Sequence, residues 1–460
     1  MNRPSIQWLV RVLNADCGKI SDSPLGKISI DSRTLNDGDL FWAIESKRDG
    51  HEYVANALDK GAAFAVVSKK WGQSVAAQAH RDKLIQVDNT FNALTTAAKA
   101  WRGKLQMPVI AITGSNGKTT TKDVLVHLLR YRFRTTGTVG NLNNELGVPL
   151  TLLKIAADDD IAVIEMGAAK ERDIADLCDI AQPTHGLITS IGMAHLAGFK
   201  SLAGVARTKG ELYDYLASRG TGFVPVDDPL CLEKSAVLQQ RSGYGFGQVP
   251  STWVGNYLQA SDYRIGNNGC AEFSVEDRPV RLSIPGQPFA QAVLAALTIA
   301  KQFGIEITES ISRLDSVILT GGRASIVRIG NMTILDDSYN ANPVSMRAGL
   351  ETLVAMPGNN KTVILGDMNE LGDYEKQAHR DLGKSLQQLM PHKAVFVGPL
   401  SRYAADEAQR LNLQTTYYAS YDELEPDLLS IIQDSDVILI KASRTIGLDR
   451  IVTHLKRMLN

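Results

Sequence analysis

The stretch Thr113-Gly114-Ser115-Asn116-Gly117-Lys118-Thr119-Thr120 constrains this chain more than any other. The β-branched run Val109-Ile110-Ala111-Ile112 precedes it, and behind it Val124, Leu125, Leu128 and Leu129 recur at helical spacing. The order is therefore strand, glycine loop, helix. In that order backbone N–H groups at the helix N-terminus converge on anionic oxygens, Lys118 offsets β- or γ-phosphate charge, and the Thr119 hydroxyl can ligate Mg²⁺. Gly114 and Gly117 permit close backbone approach, and Ser115, Asn116 and Thr120 complete the candidate nucleotide-binding set. The spacing departs from the common phosphate-loop rule, because Ile112 stands where its first glycine would be. An isolated Gly-Lys-Thr is as readily a plain strand-to-helix turn; the flanking strand and helix favour nucleotide binding.

A chain of 460 residues has room for about two to four domains. With 44% hydrophobic and 22% charged residues and a formal net charge of −1, it reads as an ordinary soluble protein. Bulk charge gives no reason to expect nucleic acid or a membrane surface as partner. The opening apolar run breaks at Arg11, and no segment approaches the roughly 18 apolar residues of a membrane span. A cytoplasmic enzyme, monomeric, is the expectation. Cys17, Cys178, Cys231 and Cys270 lie far apart with no paired spacing, and are expected to be reduced packing residues.

Hydrophobic patterning divides the chain into three α/β segments. Residues 1–88 carry a strand over Leu40–Ile44, a short helix over Glu52–Lys60 and a strand over Ala63–Val67. Residues 89–313 hold a helix over Ala93–Trp101, the phosphate loop, and strands ending in Glu165 and in Thr189, the latter followed by a loop with His195. Such alternation implies a central doubly wound, mostly parallel sheet with ligands at the carboxyl ends of its strands. Residues 314–460 repeat it with Thr362–Leu365, Ala394–Val397, Val437–Ile440 and an amphipathic helix over Leu448–Leu459, a separate Rossmann-like domain.

Further motifs stand in order along nearly the whole chain. Asp31-Ser32-Arg33, Gly38-Asp39-Leu40-Phe41 and Asp49-Gly50-His51 come first. Gly140-Asn141-Leu142-Asn143-Asn144-Glu145-Leu146-Gly147-Val148-Pro149 and Glu165-Met166-Gly167 follow, then Asp336-Asp337-Ser338-Tyr339-Asn340-Ala341-Asn342-Pro343, Leu365-Gly366-Asp367-Met368 and Lys441-Ala442-Ser443-Arg444. Together they resemble the Mur ligase family, and within it the branch that adds D-alanyl-D-alanine to UDP-N-acetylmuramoyl-tripeptide.

The resemblance implies an ATP- and Mg²⁺-dependent, ADP-forming ligase of peptidoglycan precursor synthesis, working through an acyl phosphate at a site where three domains meet. It implies a UDP-sugar role for the first segment, with Ser32, Arg33, Asp49 and His51 as candidate substrate contacts. Lys118, Glu165, His195 and Lys209 become the catalytic set. Thr119, Glu165, His195 and a carbamylated Lys209 become metal ligands, the carbamate requiring a neutral amine that captures CO₂. Arg323 would reach phosphate and Asp337 the ribose. Asn143, Asn144, Asn340, Asn342, Lys441, Ser443 and Arg444 would contact substrate; Asn143 and Asn144 read equally well as turn caps. By composition alone His195 and Lys209 are a hydrogen-bonded loop residue and a solvated lysine, and Arg323 with Asp337 a surface ion pair.

Two segments depart from the family pattern. Gly286-Gln287-Pro288-Phe289-Ala290-Gln291-Ala292 lacks the amides that would read adenine, which leaves either a stacking role for Phe289 or a plain core helix. Ala442 replaces a usual glycine. The rival readings are a related ligase adding the third amino acid, a folate polyglutamylating relative, and a nucleotide-dependent binding protein without turnover.

Overall fold

The protein, seen in a computed structural model, is described for residues 2–18, 25–46, 48–194, 196–266, 268–320 and 322–459. Its strands form three sheets, of five, nine and six strands. The chain divides into two compact units, Met1–Ile112 with Leu129–Gly167 and Asp173–Gly186, and Thr113–Leu128 with Ala168–Arg172 and Leu187–Asn460.

In the first unit, β1 (Asp16–Cys17), β2 (Ile28–Ser29), β3 (Leu40–Trp42), β4 (Phe64–Ser68) and β5 (Leu84–Val87) lie in the order β1-β5-β4-β3-β2. Only β1 runs antiparallel to its neighbour. Leu40, Phe41, Trp42, Ala65, Val66, Leu84 and Ile85 are buried, as continuous apolar runs require of a parallel sheet covered on both faces. The helix Thr90–Arg102, capped by the Asn89 side chain on Asn92 N at 2.8 Å, buries Ala93, Leu94, Ala97, Ala98 and Trp101 at helical spacing. Its last residue, Arg102, is buried and donates to the carbonyls of Ala181, Leu105 and Gln182 at 2.8, 2.7 and 2.9 Å. Carbonyls left open at a helix C-terminus are suited to holding a cation out of water. Three strands of the nine-stranded sheet follow: β6 (Val109–Thr113), β7 (Thr135–Gly137) and β8 (Ile161–Glu165), all parallel with β8 between the others.

The second unit follows β9 (His185–Ile188) with β10 (Thr221–Pro225), β11 (Gln240–Gly245) and β12 (Asn256–Ile265) in parallel, then β13 (Cys270–Val275) and β14 (Arg278–Pro285) antiparallel. These last three strands escape a reading from hydrophobic pattern. Most of β12 is exposed, and the β13–β14 turn is Glu276-Asp277, both at positive φ (50° and 59°), in place of the usual Asn-Gly or Asp-Gly.

Six strands complete the unit: β15 (Ser325–Ile329), β16 (Met332–Asp337), β17 (Lys361–Gly366), β18 (Lys393–Val397), β19 (Thr415–Tyr418) and β20 (Val437–Lys441), in the order β15-β16-β20-β17-β18-β19. Only β15 is antiparallel. Alternate residues serve opposite cores, Leu335, Leu365, Phe396 and Leu439 on one face and Ile334, Ile364, Val395 and Ile440 on the other. The α/β, mostly parallel character expected from the pattern is what the strands form. Among the described residues no helix is long and apolar enough to cross a membrane.

Candidate active site

β6 ends at Thr113 and the helix Lys118–Leu129 begins five residues later. Gly114 has φ +143°, and a Cβ there would lie 2.1 Å from Thr189 Oγ1, so no side chain fits. Gly117, at φ +79°, sits in the left-handed region for conformation alone. The loop is laced to the segment after β9. Ser115 N donates to Ser190 O at 2.9 Å, Ser115 Oγ donates to Gly192 O and accepts from Gly192 N, both at 2.9 Å, and Thr189 Oγ1 donates to Asn116 O at 2.5 Å. Lys118 Nζ folds back onto Gly114 O at 2.8 Å. Thr119 is buried beside it in sequence. Braced backbone, two positive-φ glycines and a lysine at a helix N-terminus suit an anion cradle.

Glu165, at the carboxyl end of β8, is 1% exposed. Its N donates to Thr138 Oγ1 at 2.9 Å and its Oε1 accepts from Asn143 Nδ2 at 2.7 Å, while its buried Oε2 has no hydrogen-bond partner among the described residues. A buried carboxylate oxygen without a donor is costly unless a cation or donor arrives, so the group fits a hard divalent ion. Among the described residues no cluster of three or more His, Cys, Asp or Glu could hold a metal. Asn143 is spent on Glu165, and Asn144 takes the turn-capping alternative, its Oδ1 accepting from Gly147 N at 2.9 Å and Leu146 N at 3.3 Å.

In the six-stranded sheet the register sets Asp337 opposite Lys441, since both close parallel neighbours β16 and β20. The buried Lys441 Nζ meets Asp337 Oδ2 at 2.5 Å and Asn340 O at 3.0 Å. Ala324 N donates to Asp337 Oδ1 at 3.2 Å. Next to Asp337, burial raises the carboxyl pKa of Asp336 above its usual range, against two bonds from Ser338. Arg323 stacks 3.7 Å over the Tyr339 ring, its buried Nε without a hydrogen-bond partner among the described residues. Asn342 caps the helix Pro343–Ala355 in a capping box with Ser345, and its Nδ2 donates to Asn116 Oδ1 in the phosphate loop at 2.7 Å. Ser443 Oγ accepts from Asn369 N at 2.9 Å, and Arg444, well exposed, pairs with Asp449.

The first-segment candidates are mostly committed to the protein. His51 is 2% exposed; its Nε2 accepts from Ser68 N at 2.9 Å, which places the proton on Nδ1, 2.7 Å from Asp49 Oδ1. Burial opposes ionisation of Asp49, yet the bonds from His51 outweigh it and hold the carboxyl below its usual range. Arg33 pairs with Asp31, whose carboxyl it holds at about 2, and Ser32 is buried with its carbonyl taking Lys60 Nζ at 3.2 Å. Arg33 and Asp49 are the members whose side chains still face solvent.

Family models match two stretches, the "Mur ligase middle domain" over residues 112–300 and the "Mur ligase, glutamate ligase domain" over residues 322–444. Together they cover more than half of the chain. This protein belongs to the Mur ligase family. Curated relatives named UDP-N-acetylmuramoyl-tripeptide--D-alanyl-D-alanine ligase resemble this Mur ligase almost end to end. That of Rickettsia prowazekii is 32% identical over 97% of this chain and 99% of its own, and that of Escherichia coli 30% identical over 98% of each. A crystal structure of MurF from Acinetobacter baumannii matches with a TM-score of 0.84 at 29% identity, covering 98% of both chains.

Other family-based expectations fall out unevenly in this Mur ligase. His195 lies outside the described residues. Lys209, on the helix Leu202–Leu216, is 2% exposed, with Nζ 5.7 Å from the Phe199 ring centre, so it is not the solvated lysine its composition suggested. Phe289 and Ala292 are each 3% exposed in the helix Gln287–Gln302, the core-helix alternative for the altered adenine segment. Ala442 faces Gly366, where a Cβ would come within 2.6 Å of the alanine's own. Two supports escaped the sequence. Thr189 and Ser190 brace the phosphate loop, and Asp228, which caps the helix Pro229–Lys234, also accepts from Ile191 N at 2.9 Å. A polar pair at a strand end and an Asp-Pro helix start are the signals that mark them.

Proposed function

We propose that this Mur ligase joins UDP-N-acetylmuramoyl-tripeptide to D-alanyl-D-alanine, with ATP converted to ADP and phosphate. The reading is carried by the near full-length kinship to enzymes of that name, in a chain whose phosphate loop is formed as such chemistry needs. A MurF structure from Thermotoga maritima, 27% identical with a TM-score of 0.77 over 94% of this chain and 97% of its own, is a complex with ADP, which supports the nucleotide. We assign residues 1–88 to the UDP-sugar end, 89–313 to ATP and 314–460 to the incoming dipeptide, in a cytoplasmic monomer.

In this mechanism a carboxylate oxygen of the tripeptide attacks the γ-phosphorus, and the bond to ADP breaks. The dipeptide amine then attacks the acyl carbon, phosphate leaves with the former carboxylate oxygen, and the nitrogen loses its proton. Anions are brought together in the first step, so Lys118 and the N–H groups of residues 114–120 hold the phosphates and offset their charge. Thr119 and Glu165 would ligate Mg²⁺, with His195 and a carbamylated Lys209 at a second ion. The metal supplies charge stabilisation at the transferring phosphoryl group. Arg323 contacts phosphate. Asp337 keeps lone pairs beyond its bonds to Lys441 and Ala324 for ribose hydroxyls. Asn340 and Arg444 remain the dipeptide contacts, Asn340 through its amide N–H groups and Arg444 by exchanging its exposed pair with Asp449, whereas Asn144, Asn342, Ser443 and His51 act by positioning backbone.

Phosphate release should require ATP, the UDP-linked tripeptide and D-alanyl-D-alanine together. Robust release with the UDP-linked dipeptide and a single amino acid would move the assignment to the preceding ligase.

A further inference from the structure

The helix that begins with Lys118 also grips the segment leading to Arg323. Asp123 and His127, one turn apart on that helix, share a face. Asp123 Oδ2 accepts from both the backbone N and the hydroxyl of Thr320, each at 2.9 Å. His127 Nε2 donates to Arg313 O at 3.0 Å and lies 3.1 Å from Ser316 Oγ. Asp123 is itself held, its Oδ1 meeting Lys122 Nζ at 2.5 Å, with a side chain only 12% exposed. The gripped segment falls between the two stretches that match the family models.

We propose that Thr320 is a positioning residue for Arg323, tied through Asp123 to the helix of the phosphate loop. Two bonds from one residue to one carboxylate oxygen fix both its backbone and its χ1. Arg323 stands three residues on, flattened over Tyr339 with a buried Nε that lacks an acceptor among the described residues. A phosphate oxygen supplies such an acceptor, and guanidinium is the cation suited to it. Anchoring Thr320 to the Lys118 helix therefore keeps two cations, Lys118 and Arg323, in register on one nucleotide. The inference rests on the phosphate role proposed above for Arg323.

Steady-state kinetics with varied ATP test it. Thr320→Val keeps the shape and removes the hydroxyl bond to a charged acceptor, so KM for ATP should rise about tenfold with kcat little changed. Thr320→Ser restores the hydroxyl and should restore KM. In an Arg323→Ala background Thr320→Val should add nothing, because the group it positions is gone. Additive losses in the double variant would overturn the proposal and leave the phosphate role of Arg323 standing, as would wild-type kinetics in Thr320→Val beside an impaired Arg323→Ala. Wild-type kinetics in Arg323→Ala would remove that role, and the proposal with it.

Discussion

Lys118→Ala is expected to lower kcat by at least ~10²-fold, the usual loss when a donor aimed at transition-state charge is removed. The loop geometry points the loss at turnover. The backbone N–H groups, the two positive-φ glycines and the lacing to Thr189, Ser190 and Gly192 all survive the substitution, so the nucleotide keeps most of its seat. What disappears is the mobile charge that now rests on Gly114 O and would move onto the phosphoryl group. Turnover measured at saturating ATP separates the two effects. A near-normal kcat would contradict the phosphate cradle.

The second large effect is expected at Lys209. Lys209 is 2% exposed, so the substitution falls on a buried group. The carbamylation proposed above would give it an anionic carbamate for a metal ion, on a helix capped by Ser201. Lys209→Ala should be nearly inactive and partly rescued by formate or acetate, which supply the missing anion. Isotope-labelled bicarbonate should give a carbamate carbon signal in the wild-type protein and none in the variant. Full activity in Lys209→Ala, or no such signal in an active wild type, would contradict the assignment.

Much of the architecture was open to reading because period and composition agree. Val109–Ile112, Ile161–Ile164 and Val437–Ile440 are short β-branched runs with no polar interruption, and each became a buried strand within a residue of its expected limits. β12 to β14 were closed to it, because exposed residues crowd β12 and the turn residues carry no glycine. At the site, motifs located residues without saying how their polar groups are spent. Glu165 was visible as a polar residue ending a strand, but its bond to Asn143 comes from the fold. His51 and Asn342 stand in recognisable motifs, yet their side chains bond to Ser68, Asp49, Ser345 and Asn116. Thr320 carried no signal at all, since a threonine gains meaning there only from the helix laid beside it.

Following a heavy-oxygen label from the tripeptide's terminal carboxylate tests the central claim most directly. If that carboxylate is activated by phosphoryl transfer, a single labelled oxygen must leave in each phosphate released, and the other remains in the amide. Mass spectrometry of the phosphate should therefore show one labelled oxygen per molecule, dependent on D-alanyl-D-alanine. Unlabelled phosphate accompanying amide formation would contradict the acyl-phosphate account.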